Sequence, residues 1–133
     1  NRLHLGSLSI LGLTAMETAY SKCAGWLDEL MAYLEGNRDF TEKFVRERLP
    51  LAKMDHPEGT YVFWIDFRGY GFESAGLMDF LVNEAGVALN NGLSFGPEGE
   101  GFARINIGTE RSMLKEALER IEGALEARKL KNL

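Results

Sequence analysis

The chain of 133 residues has few of the side chains that bind metals or cross-link a protein. It contains one cysteine, Cys23, and two histidines, His4 and His56. A single cysteine excludes a disulfide within the chain and a cysteine-rich zinc site, and it suits a reducing compartment. We therefore expect a cytoplasmic protein without a metal site.

Basic residues and long apolar runs are also scarce. Lysine and arginine together number 15 against 20 aspartates and glutamates, which gives a formal net charge of -5. Such a balance opposes nucleic acid and anionic membranes as partners, because both attract basic surfaces. No run approaches the roughly 20 apolar residues of a membrane helix, and the N-terminus lacks the layout of a signal peptide.

The first half of the chain predicts two helices and a strand. With 45% hydrophobic residues, the chain can bury the core of one domain. Apolar positions spaced by three and four predict a long amphipathic helix over residues 9–35, closed by Gly36 and Asn37, and a shorter helix that stops at Pro50. The run TYVFWIDF, residues 60–67, predicts a central strand buried on both faces.

The second half predicts a helix over residues 73–86, a candidate short strand over residues 87–89, and a glycine-rich connection that ends at Gly101. The segment FARINI then predicts a strand, and a helix closes the chain with Thr109 as its N-cap. The apolar stripe of that helix is Leu114, Leu118, Ile121 and Leu125. We also expect both tryptophans, Trp26 and Trp64, in the core.

These elements together predict an α/β fold of the α+β sandwich type. In this arrangement helices cover a small mixed sheet, and long helices lie at both ends of the chain.

Arg104 lies in the middle of the predicted strand FARINI. Because side chains alternate along a strand, Ala103, Ile105 and Ile107 share the core face and Arg104 lies on the other. An arginine suits a position where a carboxylate or phosphate must be gripped, since its planar fork donates two parallel hydrogen bonds. Arg104 is therefore the candidate anion-binding residue.

Two plainer interpretations of Arg104 stay open. The residue could lie on a solvated strand face, or it could form a structural ion pair with Asp66 or Glu110. No Ser-His-Asp or Cys-His set can be assembled from the rest of the sequence. The loop NGLSFGPEGEG lacks the lysine of a phosphate-binding loop and precedes a strand, so it predicts a hairpin-like connection.

Three segments in order resemble a known family. They are ETAYSKCAGWLDELMAYLEGN, PEGTYVFWIDFR and LSFGPEGEGFARINIGTERSMLKEALERI. Together they resemble the C-terminal small domain of the fold type I, pyridoxal-phosphate-dependent class I/II aminotransferases. The resemblance is strongest to the branch of cystathionine β-lyase and cystalysin-like C-S lyases, and it covers nearly the whole chain.

The resemblance assigns one residue of this chain a role. In the family, the arginine of the matching strand binds the α-carboxylate of the amino-acid substrate, and that position here is Arg104. The family's large domain carries the lysine that binds pyridoxal 5'-phosphate, and its Ser-x-Ser-Lys motif does not occur in this sequence. Lys22 lacks that context, so we assign no catalytic, cofactor-binding or metal-binding residue in this chain.

The resemblance also implies partners and boundaries. We expect residues 1–10 to be a remnant of a linker or large domain and residues 11–133 to form the small domain, in a full-length enzyme that is a homodimer. The fragment alone is expected to be inactive. Transamination and β-elimination cannot be separated from this segment. The alternative interpretation is a free-standing carboxylate-binding or interaction module without catalysis.

Overall fold

The structure of the chain, a computed structural model, describes residues 9–131, and of Lys131 only the backbone. The α-helices of this part are α1 (Ile10–Lys22), α2 (Ala24–Arg48), α3 (Ser74–Asp79) and α4 (Arg111–Lys131). Its strands are β1 (Val62–Asp66), β2 (Asn90–Asn91) and β3 (Phe102–Asn106). Two compact units divide between Tyr33 and Leu34. None of the helices described is long and apolar enough to cross a membrane.

The first unit differs from the single long helix predicted over residues 9–35. The helix is interrupted at Cys23, whose φ of -106° and ψ of 19° are not helical, and α2 begins at the next residue. No residue of α1 is buried, and Trp26 is 65% exposed, so the prediction of Trp26 in the core is wrong. Ile10 is exposed, whereas residues 1–8, including most of the predicted linker remnant, lie outside the described residues.

In the second unit, α2 continues through Gly36 and Asn37, where the sequence predicts a helix end. The Asn37 side chain does not cap the helix but points into the core, where it is fully buried. Its Nδ2 donates to the carbonyls of Ile107 at 2.8 Å and Thr109 at 2.9 Å, and its Oδ1 accepts from Arg111 Nε at 2.9 Å. The predicted break at Gly36 and Asn37 is therefore absent, and the helix that passes through it is α2.

The sheet of the second unit has the strand order β1-β3-β2, with β3 in the centre. Both pairings are antiparallel, so the sheet is antiparallel rather than mixed, while the predicted α+β fold class is confirmed. Only one face of β1 is buried, because Phe63 and Ile65 point into the core and Trp64 is 40% exposed. The predictions of a strand buried on both faces and of Trp64 in the core are wrong.

The core lies between one sheet face and the helices. The predicted stripe of α4 is buried in full, and it packs in one cluster with Phe44, Leu77, Phe80 and the core side of β3. Burying aliphatic and aromatic side chains of this size contributes about 1.5 to 3 kcal/mol each, so this cluster is the main source of stability.

Three element boundaries differ from the sequence prediction. The predicted helix over residues 73–86 is α3 followed by a π-helical turn, Phe80–Glu84. The short strand occurs at Asn90–Asn91 rather than at residues 87–89. The last helix begins at Arg111, and the hydroxyl of Thr109, the predicted N-cap, donates to Met113 Sδ at 3.3 Å.

We predict that Asn37→Ala destabilises the second unit by about 2 to 4 kcal/mol, because it leaves two carbonyls and a guanidinium N–H without their partner. Hydrogen exchange of the β3 and α4 amides in the purified protein measures this change. Asn83→Ala is the matched control, since Asn83 is exposed and its side chain donates to Asp79, and it should change the local stability by less than about 0.5 kcal/mol. Equal protection in the two variants would contradict the role of Asn37.

Candidate carboxylate-binding site

Arg104 lies at the middle of the central strand, on the face of the sheet opposite the core. Ala103, Ile105 and Ile107 are buried, which confirms the predicted alternation. Trp64 of β1 and Asn90 of β2 are the residues directly opposite Arg104 on the two neighbouring strands. Directly opposed residues point to the same side of a sheet. The Arg104 side chain therefore projects from an open face, between a tryptophan and an asparagine.

The Arg104 guanidinium has two contacts that define its orientation. Its Nη2 donates to Asn90 Oδ1 at 3.2 Å, and its Cζ lies 4.3 Å from the centroid of the Phe95 ring. Its Nε is buried and has no hydrogen-bond partner among the described residues. Buried polar atoms without a partner are rare in folded proteins, and each one needs an explanation.

The ion pairs considered for Arg104 at the sequence level do not form. In the part of the chain that the structure describes, no acidic side chain makes an ion pair with Arg104. Asp66 is instead bound by Arg68, whose Nε and Nη2 donate to its two carboxylate oxygens at 2.9 and 2.8 Å. The Arg104 side chain is half-buried, so its charge is not left to a fully solvated strand face either.

Arg68 offers a contrast on the same face of the sheet. Its side-chain hydrogen bonds lower the pKa of Asp66 below the ordinary value, against the opposing effect of partial burial. The Arg68 guanidinium also lies over the Phe102 ring at 4.6 Å. Two arginines thus stack on aromatic rings, Arg68 on Phe102 of β3 and Arg104 on Phe95 of the loop that precedes β3, but only Arg68 is neutralised by an acid of the described residues.

An aromatic cluster lies beside Arg104. The Trp64 and Phe95 rings meet edge to face, with centroids 5.3 Å apart and planes at 90°, and Trp64 meets Phe102 in the same way at 6.3 Å. These three rings line a cavity of about 210 Å³. On the side of α4, a groove of about 760 Å³ includes Arg104, Asn90 and Met113 in its lining. Arg104 therefore lines the larger groove, and the Phe95 ring on which it stacks lines the aromatic cavity.

The loop that carries Phe95 is held at both ends. Residues 92–101 connect β2 to β3, so the predicted hairpin-like connection is confirmed. The Gly101 amide donates to the Ser74 hydroxyl at 2.9 Å, and the Ser74 amide donates to Glu100 Oε1 at 2.5 Å. Gly92 and Gly99 lie so close together that a Cβ on either would overlap a backbone oxygen of the other. These contacts fix the loop that places the Phe95 ring.

Asn90 and Phe95 were not identified as site residues from the sequence. They lie 14 and 9 positions before Arg104 in a segment with the composition of an ordinary turn. Only the pairing of β2 with β3 brings Asn90 next to the arginine, and a strand of two residues leaves no periodicity to detect.

Known proteins resemble this chain in both sequence and fold. The chain is 42% identical over 121 residues to cystathionine beta-lyase PatB of Bacillus subtilis, which covers 91% of this chain and 31% of that protein. The structure of cystalysin from Treponema denticola, which contains a pyridoxal 5'-phosphate cofactor, has a TM-score of 0.87 and 33% identity, over 91% of this chain and 31% of that one. No family model matches the chain.

The chain is a relative of these pyridoxal-phosphate-dependent lyases. The predicted resemblance to the fold type I enzymes is thereby confirmed. A C-S lyase from Staphylococcus hominis in its PLP-bound form gives a TM-score of 0.84 at 35% identity, over 92% of this chain and 30% of that one. The chain thus spans about a third of the length of the relatives it matches, with 31% in the case of PatB.

Every lysine whose side chain the structure describes is exposed, including Lys22 at the end of α1. That no residue of this chain binds the cofactor stays a prediction. The described residues also contain no cluster of three acids, histidines or cysteines that could hold a metal.

We predict that Gly92→Ala displaces the loop and destabilises it by about 1 to 3 kcal/mol, because the added methyl group would overlap the Gly99 and Phe102 carbonyl oxygens. Hydrogen exchange of the amides in residues 92–101 measures the loss. Gly76→Ala is the matched control, since a Cβ at this helical glycine meets nothing within 4 Å. If Gly92→Ala were as well tolerated as Gly76→Ala, the loop would not be fixed by this contact.

We predict that the contribution of Asp66 to stability depends on pH. Its pKa is lowered in the folded state, so the stabilisation is present above the ordinary aspartate pKa and is lost as pH falls through the lowered value. Asp66→Asn should therefore lower the free energy of unfolding at pH 7 by less than about 1 kcal/mol, which is measured as a small fall in the melting temperature. The difference from the wild type should vanish at strongly acidic pH. A difference that does not change with pH would show that the Arg68 pair is not its source.

Proposed function

We propose that residues 11–133 are the small domain of a pyridoxal-phosphate-dependent aminotransferase or C-S β-lyase. We further propose that Arg104 binds the α-carboxylate of its amino-acid substrate. The observation that carries the proposal is a half-buried guanidinium on an open sheet face with no acid of residues 9–131 to pair with it. The similarity to lyases and aminotransferases supports the substrate class.

The surroundings of Arg104 suit a small carboxylate. Asn90 and Phe95 are uncharged, so neither competes with the carboxylate for the guanidinium. Partial burial strengthens a charged hydrogen bond, since fewer water molecules screen it. A bidentate contact fixes both the position and the plane of the carboxylate, and holding a reactant in one orientation lowers the entropy that remains to be lost in the reaction.

The remaining parts of the proposal concern the whole protein. The cofactor, which supplies an electron sink when bound, would be held by a large domain encoded outside this chain, and the small domain would orient the substrate toward it. A homodimer and a cytoplasmic location remain predictions. The open face of the sheet, with Trp64 and Phe95 exposed, supports the large domain as the partner of this chain.

The proposal is tested by Arg104→Ala and Arg104→Lys in the full-length enzyme that carries this chain. Truncating one partner of a buried charged hydrogen bond costs roughly 2 to 5 kcal/mol, so Arg104→Ala should lower kcat/KM by about 30-fold to several thousand-fold. Arg104→Lys should lie between, because lysine keeps the charge and loses the fork. Steady-state kinetics with an amino acid and with its decarboxylated amine analogue measure the effect.

Two controls make the result specific. Arg46→Ala removes an exposed arginine of α2 and should leave kcat/KM unchanged. The amine analogue should react equally poorly with wild type and Arg104→Ala, since it has no carboxylate for Arg104 to bind. Cofactor absorbance should persist in every variant. If Arg104→Ala unfolded the protein, while the folded remainder kept its affinity for the amino acid, Arg104 would be structural and the proposal would be wrong.

A further inference from the structure

We propose that Asn90 and Phe95 are positioning residues for Arg104, which hold its guanidinium in the plane and direction that receive the substrate carboxylate. This inference rests on the proposed function of Arg104. Asn90 and Phe95 are the two side chains through which the rest of the hairpin fixes the orientation of Arg104.

The need for such residues follows from the Arg104 Nε. This atom is buried without an acceptor among the described residues, so hydrogen bonding at Nε does not stabilise the observed side-chain conformation. A long arginine side chain also loses considerable rotamer entropy when it is fixed. Among the described residues, contacts that offset these costs are made at the far end of the guanidinium. The Asn90 hydrogen bond and the Phe95 ring are the two contacts present there.

Asn90 fixes the direction of the Arg104 guanidinium. Its backbone is set by the register of β2 on β3, which places it directly opposite Arg104. Its Oδ1 accepts one N–H of Nη2, and the second N–H of Nη2 and both of Nη1 are left for another acceptor. A neutral amide has a further advantage over an acid at this position. It orients the arginine without neutralising it, whereas Asp66 neutralises Arg68 on the same face.

Phe95 fixes the plane of the fork. A guanidinium that lies 4.3 Å above a ring centroid is attracted by the negative face of the ring, and such a contact is strongest with the two planes in face-to-face stacking. The ring itself is held by the edge-to-face contact with Trp64 and by the close contact of Gly92 with Gly99 at the base of its loop. The position of the Phe95 ring is therefore set by the fold and not by the arginine.

The test uses four variants in the full-length enzyme that carries this chain, each measured for kcat and KM with an amino-acid substrate. Asn90→Ala should lower kcat/KM about tenfold, as expected for one hydrogen bond to a charged group. Asn90→Asp should be worse than Asn90→Ala, chiefly through KM, because its carboxylate competes with the substrate for Arg104. Phe95→Leu should lower kcat/KM about three- to thirtyfold, and Phe95→Tyr, which keeps the ring, should stay within about twofold of wild type.

Coupling to Arg104 separates positioning from a general loss of structure. In an Arg104→Ala background, Asn90→Ala and Phe95→Leu should have little further effect on kcat/KM, since the group they position has been removed. Asn83→Ala, at an exposed asparagine that donates to Asp79, is the matched control and should leave kcat/KM unchanged when it is added to wild type or to Arg104→Ala. A variant that only disturbs folding would lower kcat/KM by the same factor in both backgrounds.

The outcomes are distinguishable. If Arg104→Ala leaves kcat/KM unchanged for the amino acid, the proposed function is wrong and this inference goes with it. If Arg104→Ala lowers kcat/KM, but Asn90→Ala and Phe95→Leu keep their full effects without Arg104, only the positioning role is overturned. Asn90→Asp with the activity of wild type would likewise overturn the role of the neutral amide. Loss of the Asn90 and Phe95 effects without Arg104 supports the inference.

Discussion

The buried side chain of Asn37 is the point at which the second unit is tied together. Its amide binds the backbone at the end of β3, and its oxygen accepts from Arg111 at the start of α4. All of its hydrogen-bonding groups are used, which allows a polar residue to lie in a core at little cost. The chain leaves the sheet just after β3 at this point. The same contacts therefore fix the end of the strand that carries Arg104.

The two faces of β3 have different surroundings. The inner face of β3 packs on α4 and the end of α2, and the outer face presents charged and aromatic side chains. On the outer face, Asp66 pairs with Arg68, and among residues 9–131 no acid pairs with Arg104. Because the Arg68 side chain is largely exposed, this ion pair contributes at most about 1 kcal/mol to stability.

Local patterns in the sequence predicted the parts that depend on neighbours along the chain. The stripe of α4, the strand around Trp64 and the alternation at Arg104 follow from the period of side chains in helices and strands. The passage of α2 through Asn37 was missed because that residue bonds to groups about 70 positions away. Burial of Trp64 was wrongly predicted, since an apolar run does not show whether other residues of the same chain cover both faces of the strand. Asn90 was missed because only strand pairing makes it a neighbour of Arg104.

The central place of β3 has a consequence for how relatives of this domain can diverge. The Arg104 backbone is held by strands on both sides, so the residue cannot shift to follow a larger or differently shaped molecule. Its neighbours Phe95 and Asn90 lie on a hairpin loop and an edge strand, where substitutions disturb fewer contacts. Under the proposed function, changes in preference among amino acids would arise from substitutions at Phe95 and Asn90, while the Arg104 charge keeps its position.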